Sequence, residues 1–281
     1  MPETQMPPNI LTVYRPSEPD KKLIAKKVRE ESNELALLNL LNTTRPKSIH
    51  IIPLLDSFHT QSALWIIIPK MDTIVDCLRI APEQLAGNVN KLCEGLIEGL
   101  GYLHGLCIAH RDIKPNNLLV DQAFCLKIID FDLALQLKDE DEEVDDQCGT
   151  ENWMAPEIEE KPMYSPIKAD RWSCGHVILY LLDKFKSEDK HLRSFANSLT
   201  AHDPKRRPSL LEWASSSDAL PSDVANVSNA GERRVLRPLR DKMEASRGNT
   251  LVPEAKKRRL AGSDQKDRKR GRASRPVAPA Y

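Results

Sequence analysis

A chain of 281 residues, 40% hydrophobic and 29% charged, has room for one large folded domain or two small ones, with the balance of a globular protein carrying an exposed extension. Its formal net charge is zero, yet 16 basic side chains face 6 acidic ones between Gly231 and Tyr281, so an acidic body precedes a basic end. Six cysteines with no C-x-x-C pair argue against a zinc site or disulfide framework, and neither a signal-peptide core nor a bilayer-length apolar run is present, so a soluble intracellular protein is expected.

In chain order, residues 1–21 hold five prolines and little periodicity and read as a mostly irregular leader. A strand is expected over 23–28. A short amphipathic helix follows over 31–42, with leucines at 35, 37, 38, 40 and 41 at helical spacing. Two more strands are expected at 49–58 and 63–69, the second an apolar run that Pro69 ends. A strong helix covers 88–104, where Leu92, Leu96, Leu100 and Leu103 form one stripe. Short strands at 118–120 and 125–129 flank a turn at 121–123, a buried helix covers 167–183, and a last helical stretch runs over 209–215. Strands first and helices afterwards predict an α+β fold of two lobes, and no repeat of 20–50 residues interrupts it.

The chemistry concentrates in His110–Asn117 (HRDIKPNN) and in Asp130–Phe131–Asp132. Phosphoryl transfer needs a carboxylate at the attacking hydroxyl, a cation at the migrating group and oxygen ligands for Mg²⁺. Asp112, Lys114, Asn117 and Asp130 supply these in order, Asn117 and Asp130 being hard oxygen donors of the kind Mg²⁺ prefers. A hairpin between them would bring positions 117 and 130 side by side.

These residues resemble the motifs of the eukaryotic-type protein kinases, in the Ser/Thr branch. The His-Arg-Asp loop, the Asp-Phe-Gly turn (here DFD), Ala155–Glu157 (APE), Asp170–Gly175 (DRWSCG) and Asp203–Pro208 (DPKRRP) occur in the family's order. The resemblance implies a bilobal kinase-like fold, ATP and Mg²⁺ as cofactors, and transfer of the γ-phosphoryl group to a protein serine or threonine. It also implies that Thr150 contacts Asp112 and Lys114, that Glu157 pairs with Arg207, and that Asp170 accepts hydrogen bonds from the catalytic loop. Upstream, Ile24–Lys27 (IAKK) resembles the strand carrying the phosphate-binding lysine, which makes Lys27 that lysine and Glu34 its partner. Ile68 falls before the hinge, with Pro69–Met71 along the adenine.

The pattern also departs from the family. The first glycine is Gly87, so no glycine-rich loop covers the phosphates. Either the first two strands of a small lobe are missing from this chain or nucleotide binds without that lid. A pseudokinase scaffold and an incomplete chain of an active kinase stand as alternatives to an active enzyme. Asp132 replaces the glycine of the metal turn, where positive φ would cost an aspartate energy. Between Asp130 and Cys148 there is no Ser, Thr or Tyr, but residues 139–146 read DEDEEVDD. That run either takes the part of an activating phosphate, pairing with Arg111 and nearby bases, or is a solvated acidic loop.

The expected organisation is a disordered leader over 1–8 and a kinase-like domain over 9–215, its small lobe at about 9–71 and its large lobe at about 72–215. A disordered basic tail over 216–281 completes it. Within that tail, Lys256–Lys257 and Arg268–Lys269–Arg270 are spaced like a bipartite nuclear import signal, so an import receptor is an expected partner and the nucleus the favoured site over the cytoplasm. A solvated basic segment touching acidic partners is the other reading.

Overall fold

The computed structural model describes residues 9–213. The leader over 1–8, the tail over 216–281 and the end of the last expected helical stretch lie outside the described residues.

Within the small lobe, strand structure starts earlier than expected. Residues read as an irregular leader form β1 (Ile10–Arg15), which pairs antiparallel with β2 (Glu18–Val28). The prolines suggested a loop, but both occupy positions that ask little of the ladder. Pro16 lies in the turn. Pro19 lies where the register jumps from Tyr14↔Lys22 to Arg15↔Glu18, and its missing N–H costs no ladder bond there.

Next comes α1 (Glu34–Thr43), whose Leu37, Leu38 and Leu41 are buried. The strand expected over 49–58 shrinks to β3 (Asp56–His59), since Pro53 interrupts it and Ile51 makes only an isolated bridge to Ile128. Then β4 (Leu64–Pro69) completes an antiparallel sheet of order β1-β2-β4-β3. Strand periodicity divides its side chains. Leu23, Ala25 and Ile67 cluster on one face, whereas Ile24, Val28, Ile66 and Ile68 join the core that includes α1.

The large lobe opens with β5 (Asp72–Thr73), α2 (Ile74–Ile80) and α3 (Pro82–Ala86). Its two short helices were not expected from periodicity, but each has a start signal. Thr73 accepts a hydrogen bond from the Asp76 amide, and Pro82 occupies the first turn of α3. The leucine stripe of α4 (Val89–Gly105) is wholly buried at Leu92, Leu96, Leu100 and Leu103. Each such side chain contributes roughly 1.5–3 kcal/mol of transfer free energy. Then come β6 (Ile108–Ala109), β7 (Leu118–Val120), β8 (Leu126–Ile128) and β9 (Leu135–Gln136), in sheets of order β5-β7-β8 and β6-β9, with β6 and β8 packed on α4.

After the short α5 (Glu157–Glu160), α6 (Pro166–Lys184) packs on α4 and on α7 (Lys190–Leu199). A Cβ on Gly175 would lie 2.7 Å from both the Ala196 carbonyl oxygen and Leu199 Cβ, so α6 and α7 approach this closely only with glycine there. No helix among the described residues is long and apolar enough to cross a membrane.

Candidate active site

The β7–β8 hairpin brings the two chemical segments together, as its register Leu118↔Ile128 requires. The Ile129 amide donates to the Asn117 carbonyl oxygen at 3.1 Å, which seats Asp130 beside the end of the catalytic loop. Asp170, buried in α6, fixes that loop by accepting from the amides of His110 (2.6 Å) and Arg111 (2.8 Å). Burial holds the neighbouring His104 below the ordinary histidine range, so it meets Asp170 as a neutral ring. His110 contacts the Ile129 carbonyl oxygen at 2.8 Å and meets Phe131 edge-on at 5.2 Å, the packing role of a core histidine.

Around Asp112 the polar groups converge tightly. Lys114 Nζ donates to Asp112 Oδ2 at 2.8 Å and to Thr150 Oγ1 at 2.6 Å, while Thr150 donates to Asp112 Oδ1 at 2.7 Å. The Asn117 amide group donates to the Asp112 carbonyl oxygen and to Oδ2, both at 2.9 Å. With its N–H bonds directed there, the Asn117 side-chain oxygen is the acceptor available to a cation. Gly149 carries Thr150 into place at φ +129°, where a Cβ would lie 2.7 Å from Met154 Cγ.

The lysine of this site is Lys26, a correction to the expectation of Lys27. Lys26 Nζ donates to both Glu34 oxygens at 2.8 Å and to Asp130 Oδ1 at 2.6 Å. Lys27 is exposed, one residue further along β2 and therefore on the sheet face away from α1. Both lysines follow Ile24–Ala25, and only the assembled lobe shows which face meets the helix. Burial works against the Lys26 charge, but Glu34 and Asp130 outweigh it and raise its pKa. Burial raises Glu34 despite Lys26, whereas at Asp130 burial is overcome by Lys26 and the carboxyl is lowered.

The donor set suits Mg²⁺ in one specific way. One carboxylate and one amide oxygen bind it weakly by themselves, and Mg²⁺ ordinarily completes its shell with water and substrate phosphates. In keeping with that, no group of three His, Cys, Asp or Glu that could hold a metal occurs among the described residues. At the other edge, Ile68 is buried in β4 and Met71 packs against the core where β4 passes to β5.

Asp132 departs from the expected strain. Positive φ falls on Asp130, at +68°, while Asp132 lies in a short 3₁₀ turn and is not left-handed. Its carboxylate pairs with Arg29, a contact with no local signal in the sequence.

The acidic run is tethered rather than loose. Asp146 pairs with Arg111, Glu140 with Arg171 at 2.5 Å and Asp141 with Lys168 at 2.5 Å. Backbone bonds link Val144 and Tyr164 in both directions, and Ser165 Oγ donates to the Glu140 carbonyl oxygen at 2.7 Å. Below this segment, Arg207 donates to both oxygens of Glu157 at 2.5 and 2.8 Å, both residues being buried.

Comparison with known proteins agrees with this geometry. Serine/threonine-protein kinase STE20 of Candida glabrata is 29% identical over 161 residues, 55% of this chain and 17% of the relative. Serine/threonine-protein kinase pak-1 of Caenorhabditis elegans is 28% identical over 160 residues, 55% of this chain and 27% of the relative. CBL-interacting protein kinase 16 of Oryza sativa subsp. japonica is 47% identical over 98 residues, 34% of this chain and 21% of the relative. The chain thus spans less than a third of the length of these relatives. The model of the protein kinase domain matches residues 17–187, more than half of the sequence, and on that match, with the motifs at the positions described, the chain belongs to the protein kinase domain family.

Proposed function

We propose that this chain is a Ser/Thr protein kinase that transfers the γ-phosphoryl group of Mg²⁺·ATP to a protein hydroxyl. The observation that carries this is the single ion cluster in which Lys26 joins Glu34 to Asp130, with Asp112, Lys114, Asn117 and Thr150 assembled across the same cleft. In the reaction, the bond between the γ-phosphorus and the β–γ bridging oxygen breaks and one to the substrate oxygen forms. ADP leaves, and Asp112 receives the hydroxyl proton. Lys114 offsets charge on the migrating group, and Lys26 offsets charge on the α- and β-phosphates. Asn117 and Asp130 would hold Mg²⁺, which supplies charge neutralisation at the phosphate oxygens.

The test is thermal unfolding with and without Mg²⁺·ATP, wild type beside Asp130→Asn and Lys26→Met. Stabilisation in the wild type that Asp130→Asn weakens supports the reading. A folded wild type with no shift counts against it. The second reading, a binding module without turnover, is favoured by the absence of glycine before Gly87, and ATP binding without phosphoryl transfer to any acceptor would select it. For the tail, nuclear import through 256–257 and 268–270 is tested by fusing residues 250–275 to a reporter. A reporter that stays cytoplasmic counts against the signal.

A further inference from the structure

We propose that Asp132 and Arg29 form a clasp that positions the Lys26–Glu34–Asp130 cluster, making Asp132 a positioning residue rather than a defective metal-turn glycine. The proposal rests on the kinase reading for its consequence but not for its structure. Three consecutive residues of the metal turn are each tied to the segment 26–34. Asp130 is held by Lys26 at 2.6 Å, the Phe131 amide donates to Glu34 Oε1 at 3.2 Å, and Asp132 pairs with Arg29. Ser32 supports the third tie. Its hydroxyl accepts from the Glu34 amide at 3.1 Å and lies 3.4 Å from the Asp132 carbonyl oxygen. A glycine at 132 would keep the first two and the Ser32 contact to the main-chain carbonyl, but would lose the Arg29 pair.

The burden of the pair falls unequally. Arg29 is 59% exposed and would lose little as an isolated surface charge, but the Asp132 side chain is 19% exposed and its Oδ1 is buried with no partner. Burial is what chiefly pushes the Glu34 carboxyl up, and the negative charges of Asp130 and Asp132 add to it. Removing Arg29 therefore leaves a third carboxylate uncompensated beside Glu34 and Asp130. Removing Asp132 as well removes that repulsion. The two changes should be non-additive, with the double variant milder than Arg29→Ala alone. Arg29→Lys retains the charge and should keep most of the clasp.

Two readouts on the full chain separate the clasp from the activity. Hydrogen exchange of nucleotide-free protein reports the amides at 29–34 and 130–134. Titration with Mg²⁺·ATP reports the consequence. Arg29→Ala should speed exchange in both segments and weaken Mg²⁺·ATP on the order of tenfold, with Arg29→Lys close to wild type and Arg29→Ala/Asp132→Gly in between. Unchanged exchange in Arg29→Ala overturns the clasp, as does a double variant worse than both single ones. If the wild type fails to bind Mg²⁺·ATP, the kinase reading fails, while the exchange arm still decides the clasp. Should Arg29→Ala fold poorly, Asp132→Gly with Arg29 intact carries the same exchange comparison.

Discussion

Replacing Lys26 with Met, beside Lys27→Met as its control, tests the assignment of the site lysine. The Glu34 side chain is 2% exposed and the Lys26 side chain 14%, so Met leaves a buried carboxylate with the Phe131 amide but no cation. Breaking a buried pair from one side costs about 3–5 kcal/mol when the remaining charge persists. Protonation sets a ceiling, because Glu34 can escape the penalty by taking up a proton. From its usual value of 4.5, neutralising the group at pH 7 costs about 3.4 kcal/mol at 1.36 kcal/mol per unit. A deficit of about 3 kcal/mol follows, a drop of roughly 6–12 °C in Tm for a domain of this size. Lys27 is exposed on the other sheet face, and Lys27→Met should stay within about 0.5 kcal/mol of wild type. Chemical denaturation at pH 7 measures both. Equal losses in the two variants, or a larger one at Lys27, would refute the assignment.

The Lys26→Met deficit should also depend on pH. Burial already raises the Glu34 carboxyl, and Lys26→Met removes the cation that opposes that shift. A group raised in the folded state favours folding below its unfolded pKa and loses that contribution as pH rises through the folded one. The deficit should therefore shrink on acidification, to below about 1 kcal/mol near pH 5, and unfolding curves from pH 5 to 8 will show whether it does. Glu157→Gln leaves the buried Arg207 charge without its carboxylate and should cost about 3–5 kcal/mol, read as a fall in the denaturation midpoint. Replacing 139–146 with Gly/Ser should lower phosphoryl transfer severalfold by freeing Arg111, Lys168 and Arg171. Activity equal to wild type would leave the run a solvated loop.

The legible parts of this chain are those governed by local rules. The leucine stripe of α4 and the β7–β8 hairpin follow from periodicity and turn chemistry, and the hairpin is what brings Asn117 and Asp130, at its two ends, beside the loop that carries Asp112. Lys26 and Lys27 differ only in the sheet face they occupy. Ile24, Ala25 and Val28 are all apolar, so strand parity alone cannot say which face meets α1; that depends on a helix packed from further along the chain. The hairpin of β1 and β2 was obscured for a related reason. Pro16 and Pro19 are loop signals, and their compatibility with this strand pair depends on a register jump that only pairing reveals. The partners Arg29 and Asp132 lie 103 positions apart, beyond any spacing rule.

The acidic run shows how composition can suggest a role and tertiary structure supply its means. Eight residues of DEDEEVDD would repel one another in isolation and favour an extended loop. Three of their carboxylates instead meet Arg111, Lys168 and Arg171, drawn from the catalytic loop and from α6. Salt should weaken the exposed contacts most, whereas the backbone bonds between Val144 and Tyr164 should not follow ionic strength in the same way. An activating phosphate works by giving a mobile segment charge that arginines can hold. Whether 139–146 takes that part is what its Gly/Ser replacement tests; no Ser, Thr or Tyr stands between Asp130 and Cys148 to carry a phosphate. The arrangement of this segment therefore depends on folding and ionic strength, not on a kinase acting within that stretch.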